Sequence, residues 1–155
     1  MTSIIDRQYE YFNNVVEKHG SAAEYFGIDT LNINYSRTTR MRMQLDIRFV
    51  KKGEPFNFNL PIELIRLISS YSDHYVDISV EILFPKSYPF RPPVWLLKEV
   101  KHNIKHESLD IKKYYKDIVH NHNTEYSRYW YPSMSIEKNI LMFIERVNHF
   151  EYLFE

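Results

Sequence analysis

Apolar and polar residues alternate with a period of two along three segments of this chain, residues 31–35, 41–49 and 75–84. Such alternation predicts strands with one buried face and one face in water, because successive side chains of a strand point to opposite sides. The second of these segments is the clearest case. A fourth strand is predicted at 94–97, and we therefore expect a four-stranded antiparallel meander.

Helical patterns precede and follow these strands. Apolar residues recur on one face of residues 4–19, where Ser3 and Asp6 make a capping-box-like start and Gly20 is a plausible stop. The last helix is predicted to begin near Ser135, a favourable N-cap residue. Its apolar stripe consists of Ile136, Ile140, Phe143, Ile144 and Val147, and it continues at Phe150, Leu153 and Phe154. We therefore predict a long C-terminal helix.

Two segments fit neither pattern so well. Residues 60–71 carry a proline near their start and predict a helix inserted between the second and third strands. Either this helix packs its apolar face onto the domain, or it binds a partner. Residues 98–129 are charged and rich in histidine, asparagine and tyrosine. We expect them to be loop-like, apart from a helical turn near 111–118.

Composition limits the classes of protein to be considered. At 155 residues, with 44% hydrophobic and 26% charged residues, we expect a single domain over residues 1–155. The formal net charge of +0 gives no electrostatic reason to expect nucleic acid or an anionic membrane as partner. No apolar run approaches the ~20 residues of a membrane helix. No signal peptide is visible and cysteine is absent, which predicts a cytoplasmic or nuclear protein.

Two sequence motifs stand out. The first is Phe84–Pro93, which reads F-P-K-S-Y-P-F-R-P-P. Because proline lacks an N–H and extends the residue before it, the chain leaves the sheet here and crosses a stiff aromatic corner. The second motif is Trp130–Leu141, in which a tryptophan and a proline precede the last helix.

These two motifs, in this order, resemble those of the ubiquitin-conjugating enzyme fold. The resemblance covers roughly residues 30–147. It implies an α+β fold with an N-terminal helix, a four-stranded antiparallel meander and a long C-terminal helix, to which this chain adds the inserted helix between strands 2 and 3. The RWD domain shares the proline corner, but the motif at Trp130 argues against that domain.

The resemblance also locates a degenerate active site. The enzymes of the family carry ubiquitin as a thioester on a cysteine shortly before the tryptophan, whereas this chain has no cysteine. Counting back from Trp130, the position of that cysteine falls near His122, and His102 with Asn103 stands where the family has a His-Pro-Asn motif. Since a thiolate is the nucleophile of this chemistry, the resemblance implies a catalytically inactive, cysteine-less variant and not an enzyme.

The histidines raise a second chemical possibility. His102 and His106 lie four residues apart, and His120 and His122 follow in the same segment. Four imidazoles can bind zinc if the segment folds back on itself. The alternative is a set of exposed or locally hydrogen-bonded imidazoles. Because structural zinc sites usually include cysteine, we predict no metal and no cofactor.

Without a catalytic group, function is expected to reside in protein contacts. In the family, partners such as ligases contact the first helix, the loop with the Phe-x-Pro-Pro sequence and the loop after the tryptophan. Aromatic residues on a rigid edge are good anchors for such contacts. Carried over to this chain, the resemblance implies a partner-binding surface that consists of Arg7, Phe90, Pro92, Tyr131, Pro132 and Ser133.

The function that we predict is that of a non-covalent binding or scaffold module. Its partner would be ubiquitin, an active ubiquitin-conjugating enzyme or a subunit of a complex, with neither nucleic acid nor membrane involved. The alternative is a structural subunit of a multiprotein complex that reuses the fold without binding ubiquitin. A composition rich in Ile, Asn, Lys and Tyr suggests an A+T-rich genome, such as that of a large DNA virus or a parasite. A histidine-based or metal-dependent enzyme is the third hypothesis, and it predicts bound metal.

Overall fold

Two helices, four strands and two further helices follow one another along the chain in the computed structural model. The structure describes six ranges of the chain, which are residues 3–28, 30–36, 41–51, 61–64, 74–105 and 108–148. The elements in chain order are α1 (Ile4–Lys18), α2 (Ala22–Phe26), β1 (Thr30–Ser36), β2 (Arg42–Lys51), β3 (His74–Leu83), β4 (Val94–His102), α3 (Ile111–Tyr129) and α4 (Ile136–Val147). No helix in these ranges combines the length and the apolar character needed to cross a lipid bilayer.

The four strands form one antiparallel sheet in the order β1-β2-β3-β4. Apolar residues lie opposite one another across the strands, as Ile33 does opposite Leu45 and Ile47 opposite Ile78. Because the side-chain period of a strand is two, this register brings the buried residues of the sheet onto one face. The predicted α+β class and the four-stranded antiparallel meander are therefore confirmed.

The core lies between the inner face of the sheet and the helices. Trp95 of β4 is completely buried at its centre. Its ring stacks on Phe143 of α4 with 4.5 Å between the ring centroids, and it meets the ring of His122 of α3 edge-on at 4.8 Å. Helix α3 packs along β4 and against α4, and α1 also packs against α4. The burial of these large side chains is the main force that holds the helices on the sheet.

The outer face of the sheet is polar and carries ion pairs across the strands. Arg48 of β2 donates two hydrogen bonds to the carboxylate of Asp77 on β3, at 2.6 and 2.7 Å. Glu81 of β3 is only 9% exposed and lies between two cations. Lys98 of β4 approaches one of its carboxylate oxygens at 3.1 Å, and Arg42 of β2 approaches the other at 3.6 Å. Ion pairs thus link β3 to both of its neighbours, β2 and β4.

The outer edge of β4 is closed by a side chain of α3. The side-chain amide of Asn123 accepts a hydrogen bond from the backbone N–H of Trp95 at 2.9 Å and donates one to its carbonyl oxygen at 2.8 Å. These are the two backbone groups that a further strand would otherwise bond. Asn123 therefore ends the sheet at this edge.

The start of α1 confirms the predicted cap. The Ser3 hydroxyl accepts from the Asp6 N–H at 3.1 Å, and a carboxylate oxygen of Asp6 accepts from the Ser3 N–H at 2.9 Å. The other oxygen of Asp6 accepts a hydrogen bond from the Tyr35 hydroxyl of β1 at 2.8 Å. One buried carboxylate thus completes the helix cap and joins the helix to the sheet. Gly20, two residues beyond α1, has the positive φ of 96° expected of a stop residue.

The predicted layout of the helices is wrong. The predicted layout has one N-terminal helix and a long C-terminal helix, as the resemblance implies, together with a helix that this chain inserts between strands 2 and 3. In the described ranges α2 follows α1 directly. The longest helix there is α3, with 19 residues between the sheet and the last helix, whereas α4 has 12 residues. The order of elements therefore differs from the predicted one.

Most of the predicted inserted helix, residues 60–71, lies outside the described residues. Residues 61–64 are described, and Ile62 to Leu64 form one helical turn in which the Leu64 N–H donates to the Pro61 carbonyl oxygen at 3.0 Å. The predicted extension of the last helix lies outside the described residues as well; it comprises Phe150, Leu153 and Phe154.

The prediction for residues 98–129, a loop-like segment with a helical turn near 111–118, is too short in its helix and wrong for the rest. Residues 98–102 belong to β4, and all of Ile111–Tyr129 is helical. The buried residues of α3 follow one another at spacings of four, four and three positions, and they are Ile111, Tyr115, Val119 and His122. This is the spacing of one helix face. Tyrosine and histidine count as polar in a hydrophobicity pattern, which conceals the stripe. Asp110 starts the helix, since its side chain accepts from the Lys113 N–H at 3.1 Å.

Candidate functional site

Three segments that are distant in the sequence meet at one end of the molecule. They are the proline corner (residues 84–93), the first turns of α1 and the loop that leads from Trp130 into α4. Tyr88 joins the corner to α1, because its hydroxyl donates to the side-chain oxygen of Gln8 at 2.8 Å. Its ring contacts that of Trp130 with 5.9 Å between centroids. Burial raises the pKa of Tyr88 to about 12, so this hydroxyl remains a donor at neutral pH.

Trp130 fixes the loop before α4 to the same corner. Its indole N–H donates to the carbonyl oxygen of Pro89 at 2.7 Å. Within the corner, the N–H of Tyr88 donates to Pro85 at 2.9 Å and the N–H of Phe90 donates to Ser87 at 2.7 Å, both to backbone carbonyls. The corner is therefore held by hydrogen bonds within itself and to both neighbouring segments. Tyr88 is buried and Trp130 is half-buried.

The residues predicted to bind a partner are distributed over these three segments. We use the name corner surface for Arg7, Phe90, Pro92, Tyr131, Pro132 and Ser133. Phe90 has 79% of its surface exposed and Tyr131 has 39%, and Arg7, Pro132 and Ser133 are exposed as well. Pro92 is half-buried, and the neighbouring Pro93 is buried.

A shallow groove runs beside the corner surface, between α1 and the start of α4. Its volume is about 270 Å³, and its lining residues are Ile4, Arg7, Gln8, Tyr11, Ser135 and Glu137. Ile4 and Tyr11 are 40% and 66% exposed, although both are apolar in character. Neither residue belongs to the predicted partner-binding surface. Their spacing of seven positions, which is two helical turns outside the buried stripe of α1, already indicates from the sequence that they share one exposed face.

The far wall of the groove is held in place by Ser135 and Glu137. The Ser135 hydroxyl caps α4 by accepting from the Lys138 N–H at 3.2 Å, as predicted. Glu137 accepts a hydrogen bond from the hydroxyl of Tyr25 in α2. This hydrogen bond raises the pKa of Tyr25 to about 12, with burial adding to the effect. The carboxylate of Glu137 therefore has a fixed position beside the groove.

The corner surface has a basic border. Lys86 and Arg91 are exposed on the proline corner, and Arg7 is exposed on α1. Lys138 donates to the Tyr131 hydroxyl at 2.6 Å and lies 5.2 Å from the centre of that ring. Four cations thus lie on or near the corner surface, and the carboxylate of Glu137 lies in the groove beside it.

The three residues assigned to the degenerate active site do not lie together. His122 is completely buried on α3, where it contacts Trp95 near the start of β4. His102 and Asn103 are exposed at the other end of β4, about 20 Å away along the strand. Asn103 accepts a hydrogen bond from the Tyr75 N–H at 2.8 Å, which joins the end of β4 to β3.

The buried His122 is a neutral imidazole. Burial lowers its pKa to about 3, and repulsion from Arg146 adds to the effect. A group enclosed in this way between Trp95 and Phe143 has no access to a substrate. Its place in the structure is that of a core side chain.

The histidines do not form a metal site in the part of the chain that is described. His120 is exposed on α3 while His122 points into the core, and His106 lies outside the described residues. In the same ranges no three His, Asp or Glu side chains are placed to share a metal ion.

Comparison of the chain with known protein families, with curated proteins and with solved structures returns no match. The assignment of a function therefore depends on the geometry described above.

Proposed function

We propose that this protein is a non-covalent protein-binding module that contacts its partner through the corner surface. The observation that carries the proposal is the position of Phe90. Its ring is 79% exposed, although hydrogen bonds to α1 and to the loop before α4 fix the corner that holds it. An aromatic side chain on a rigid backbone loses little conformational entropy on binding, which is typical of interface anchors.

The charges around the anchor indicate the chemistry of the partner. Lys86, Arg91 and Arg7 border Phe90 and Tyr131, so the partner surface should be apolar at its centre and acidic at its edge. Such a complex forms more slowly as the salt concentration rises, because exposed charges are screened. The proposed role is to position a partner and not to make or break a bond.

Proteins of the ubiquitin pathway are the partners to test first. The reason is the resemblance of Phe84–Pro93 and Trp130–Leu141 to the motifs of ubiquitin-conjugating enzymes. A subunit role in a larger assembly is the second candidate. It is favoured by α3, a 19-residue helix in the segment where the resemblance leads one to expect an active-site loop.

A titration monitored by NMR tests the ubiquitin proposal. ¹⁵N-labelled protein receives unlabelled ubiquitin up to about 1 mM, roughly ten times a weak dissociation constant of about 100 µM. We expect shifts confined to the amides of the corner surface. Phe90→Ala should weaken binding at least tenfold, as for an interface anchor. Leu141→Ala, at a 41% exposed position on α4, is the matched control and should leave binding unchanged.

The surface itself is tested separately from the identity of the partner. A photo-crosslinking phenylalanine analogue is placed at position 90 or at position 141 and irradiated in the cells in which the protein occurs. We expect a discrete crosslinked protein from position 90 and none from position 141. Shifts absent from the ubiquitin titration together with a crosslink at position 90 would favour the assembly subunit. No crosslink from position 90 would contradict the corner surface.

A further inference from the structure

The two edges of the sheet are protected very differently. At the β4 edge, Asn123 occupies both backbone groups of Trp95, the pairing with β3 shifts at Ser79 and Val80, and Lys98, Glu99 and Lys101 supply charges. These are the usual means by which proteins prevent a further strand from adding to a sheet. Residues Thr30–Ser36 of β1 contain no charged residue and no proline, and they pair with β2 without a register shift. In the described residues, β1 is hydrogen-bonded to a strand on one side only.

The sequence of β1 is palindromic in residue type. It reads T-L-N-I-N-Y-S, so that Ile33 lies at the centre, an asparagine stands on each side, a large hydrophobic or aromatic residue comes next and a hydroxyl residue lies at each end. A two-fold axis through Ile33 therefore places each residue of β1 opposite a residue of similar type in the second copy. Self-complementarity of this kind is the requirement for an isologous interface between two identical chains.

We propose that two copies of this chain pair through β1, antiparallel and centred on Ile33, to form a continuous eight-stranded sheet. This inference goes beyond the proposed function and uses a different surface. In that register Asn32 lies opposite Asn34 of the second copy, and Leu31 lies opposite its Tyr35. Side chains at directly opposite positions of antiparallel strands are in contact. We assign the added strand to a second copy of this chain for two reasons. The residue types of β1 match those of β1 read in reverse, and no like charges face each other in this register.

The burial of the strand agrees with this arrangement. Asn32 and Asn34 are exposed on the outer face, where their amides are free to meet across the axis. Ile33 is half-buried on the inner face, and a second Ile33 covers the rest of its surface. The Tyr35 hydroxyl donates to Asp6, and its ring contacts that of Tyr9 with 4.8 Å between centroids, so the side chain that faces Leu31 of the second copy is held in one position on the inner face.

The length of the strand sets the strength of the dimer. A seven-residue strand pair buries less surface than the ~800 Å² per partner of a standard stable interface. We therefore expect a dissociation constant of about 10–100 µM. Sedimentation velocity from about 5 to about 500 µM covers this range.

Two double variants that differ at one residue test the pairing. The first double variant combines Asn32→Lys with Asn34→Glu. Each introduced lysine then faces an introduced glutamate of the second copy, so the dimer should become tighter. The second double variant combines Asn32→Lys with Asn34→Lys. Lysines then face each other across the interface, so the dimer should become weaker. The neighbours on β2, Asp46 and Gln44, are the same in both variants. The two dissociation constants should differ by about tenfold, since two cross-strand pairs change sign.

Both positions are exposed, so circular dichroism and thermal unfolding should show that both variants fold. Asn32→Lys alone is the common reference. A wild-type protein that remains a monomer at about 500 µM would overturn the proposal, as this exceeds the expected dissociation constant several-fold. Equal dissociation constants for the two double variants would overturn it too, because only the register centred on Ile33 brings positions 32 and 34 together.

Discussion

At the scale of single residues, burial decides what a titratable side chain contributes. His122 has an ordinary histidine pKa of 6.5 when the chain is unfolded and a pKa of about 3 in the folded protein. Between these pH values the unfolded chain binds one proton more than the folded chain does. Acid therefore favours unfolding in this window, and the stability associated with a neutral His122 is lost as the pH falls from about 6.5 towards about 3.

We predict that His122→Gln makes stability less dependent on pH. The single histidine should change the free energy of unfolding by about 1.4 kcal/mol per pH unit, so the wild type should lose about 2 kcal/mol between about pH 6.5 and about pH 5 through this group. Urea unfolding at several pH values measures the slope. His120→Gln, at an exposed position of the same helix, should keep the wild-type slope. An unchanged slope in His122→Gln would show that the imidazole is not buried in the neutral form.

At the scale of elements, the edge of β4 depends on one amide. We predict that Asn123→Ala lowers the free energy of unfolding by about 2 kcal/mol, because two backbone groups of Trp95 lose their partners. It should also increase association at high concentration, since an open strand edge recruits other strands. Thermal unfolding and light scattering measure the two effects. Asn121→Ala, two residues earlier and exposed, should change neither.

The cap of α4 provides a second test at this scale. Ser135→Ala should cost about 1 kcal/mol of stability, since the Lys138 N–H loses its acceptor. It should also loosen the wall of the groove beside α1. Ser133→Ala, in the exposed turn just before, is the control and should unfold with the wild-type midpoint in urea. Equal losses in both variants would mean that the cap is not the source of the effect.

The elements differ in how far the sequence determines them. The strands were predictable because alternation is a local signal, and β1, β2 and β3 are found within one or two residues of the predicted ranges. Helix α2 was missed because it has five residues, too few for a periodic pattern. Helix α3 was predicted only as a turn near 111–118, because Tyr115 and His122 lie on its buried stripe. Whether a tyrosine or a histidine is buried here depends on tertiary contacts with β4 and α4.

The parts of the candidate site also differ in how far the sequence determines them. Phe90 and Tyr131 are exposed, as their assignment to a partner-binding surface requires, and prolines next to aromatic residues do mark a stiff corner. The groove was not predictable, because it requires α1 and the start of α4 to lie side by side, more than 120 positions apart in the sequence. No local sequence pattern indicates that two such distant segments lie side by side in the fold. The separation of His102 from His122 along β4 is likewise a property of the folded sheet.

At the scale of the whole molecule, one core connects every main element. In the described ranges, 24 buried hydrophobic residues form a single cluster that includes Phe12 of α1, Ile47 and Ile78 of the sheet, Tyr115 of α3 and Phe143 of α4. We therefore predict one cooperative unfolding transition. Tryptophan fluorescence, which reports on Trp95 and Trp130, should have the same urea midpoint as far-ultraviolet circular dichroism. Two separate midpoints would contradict a common core.

The carboxylate of Glu81 has a consequence for how the sheet assembles. A slip of β3 by one residue turns this nearly buried side chain to the apolar inner face of the sheet and away from Arg42 and Lys98. An ionised carboxylate without its cations in an apolar core costs several kcal/mol. Glu81 therefore favours the observed register of β3 over one shifted by a single residue.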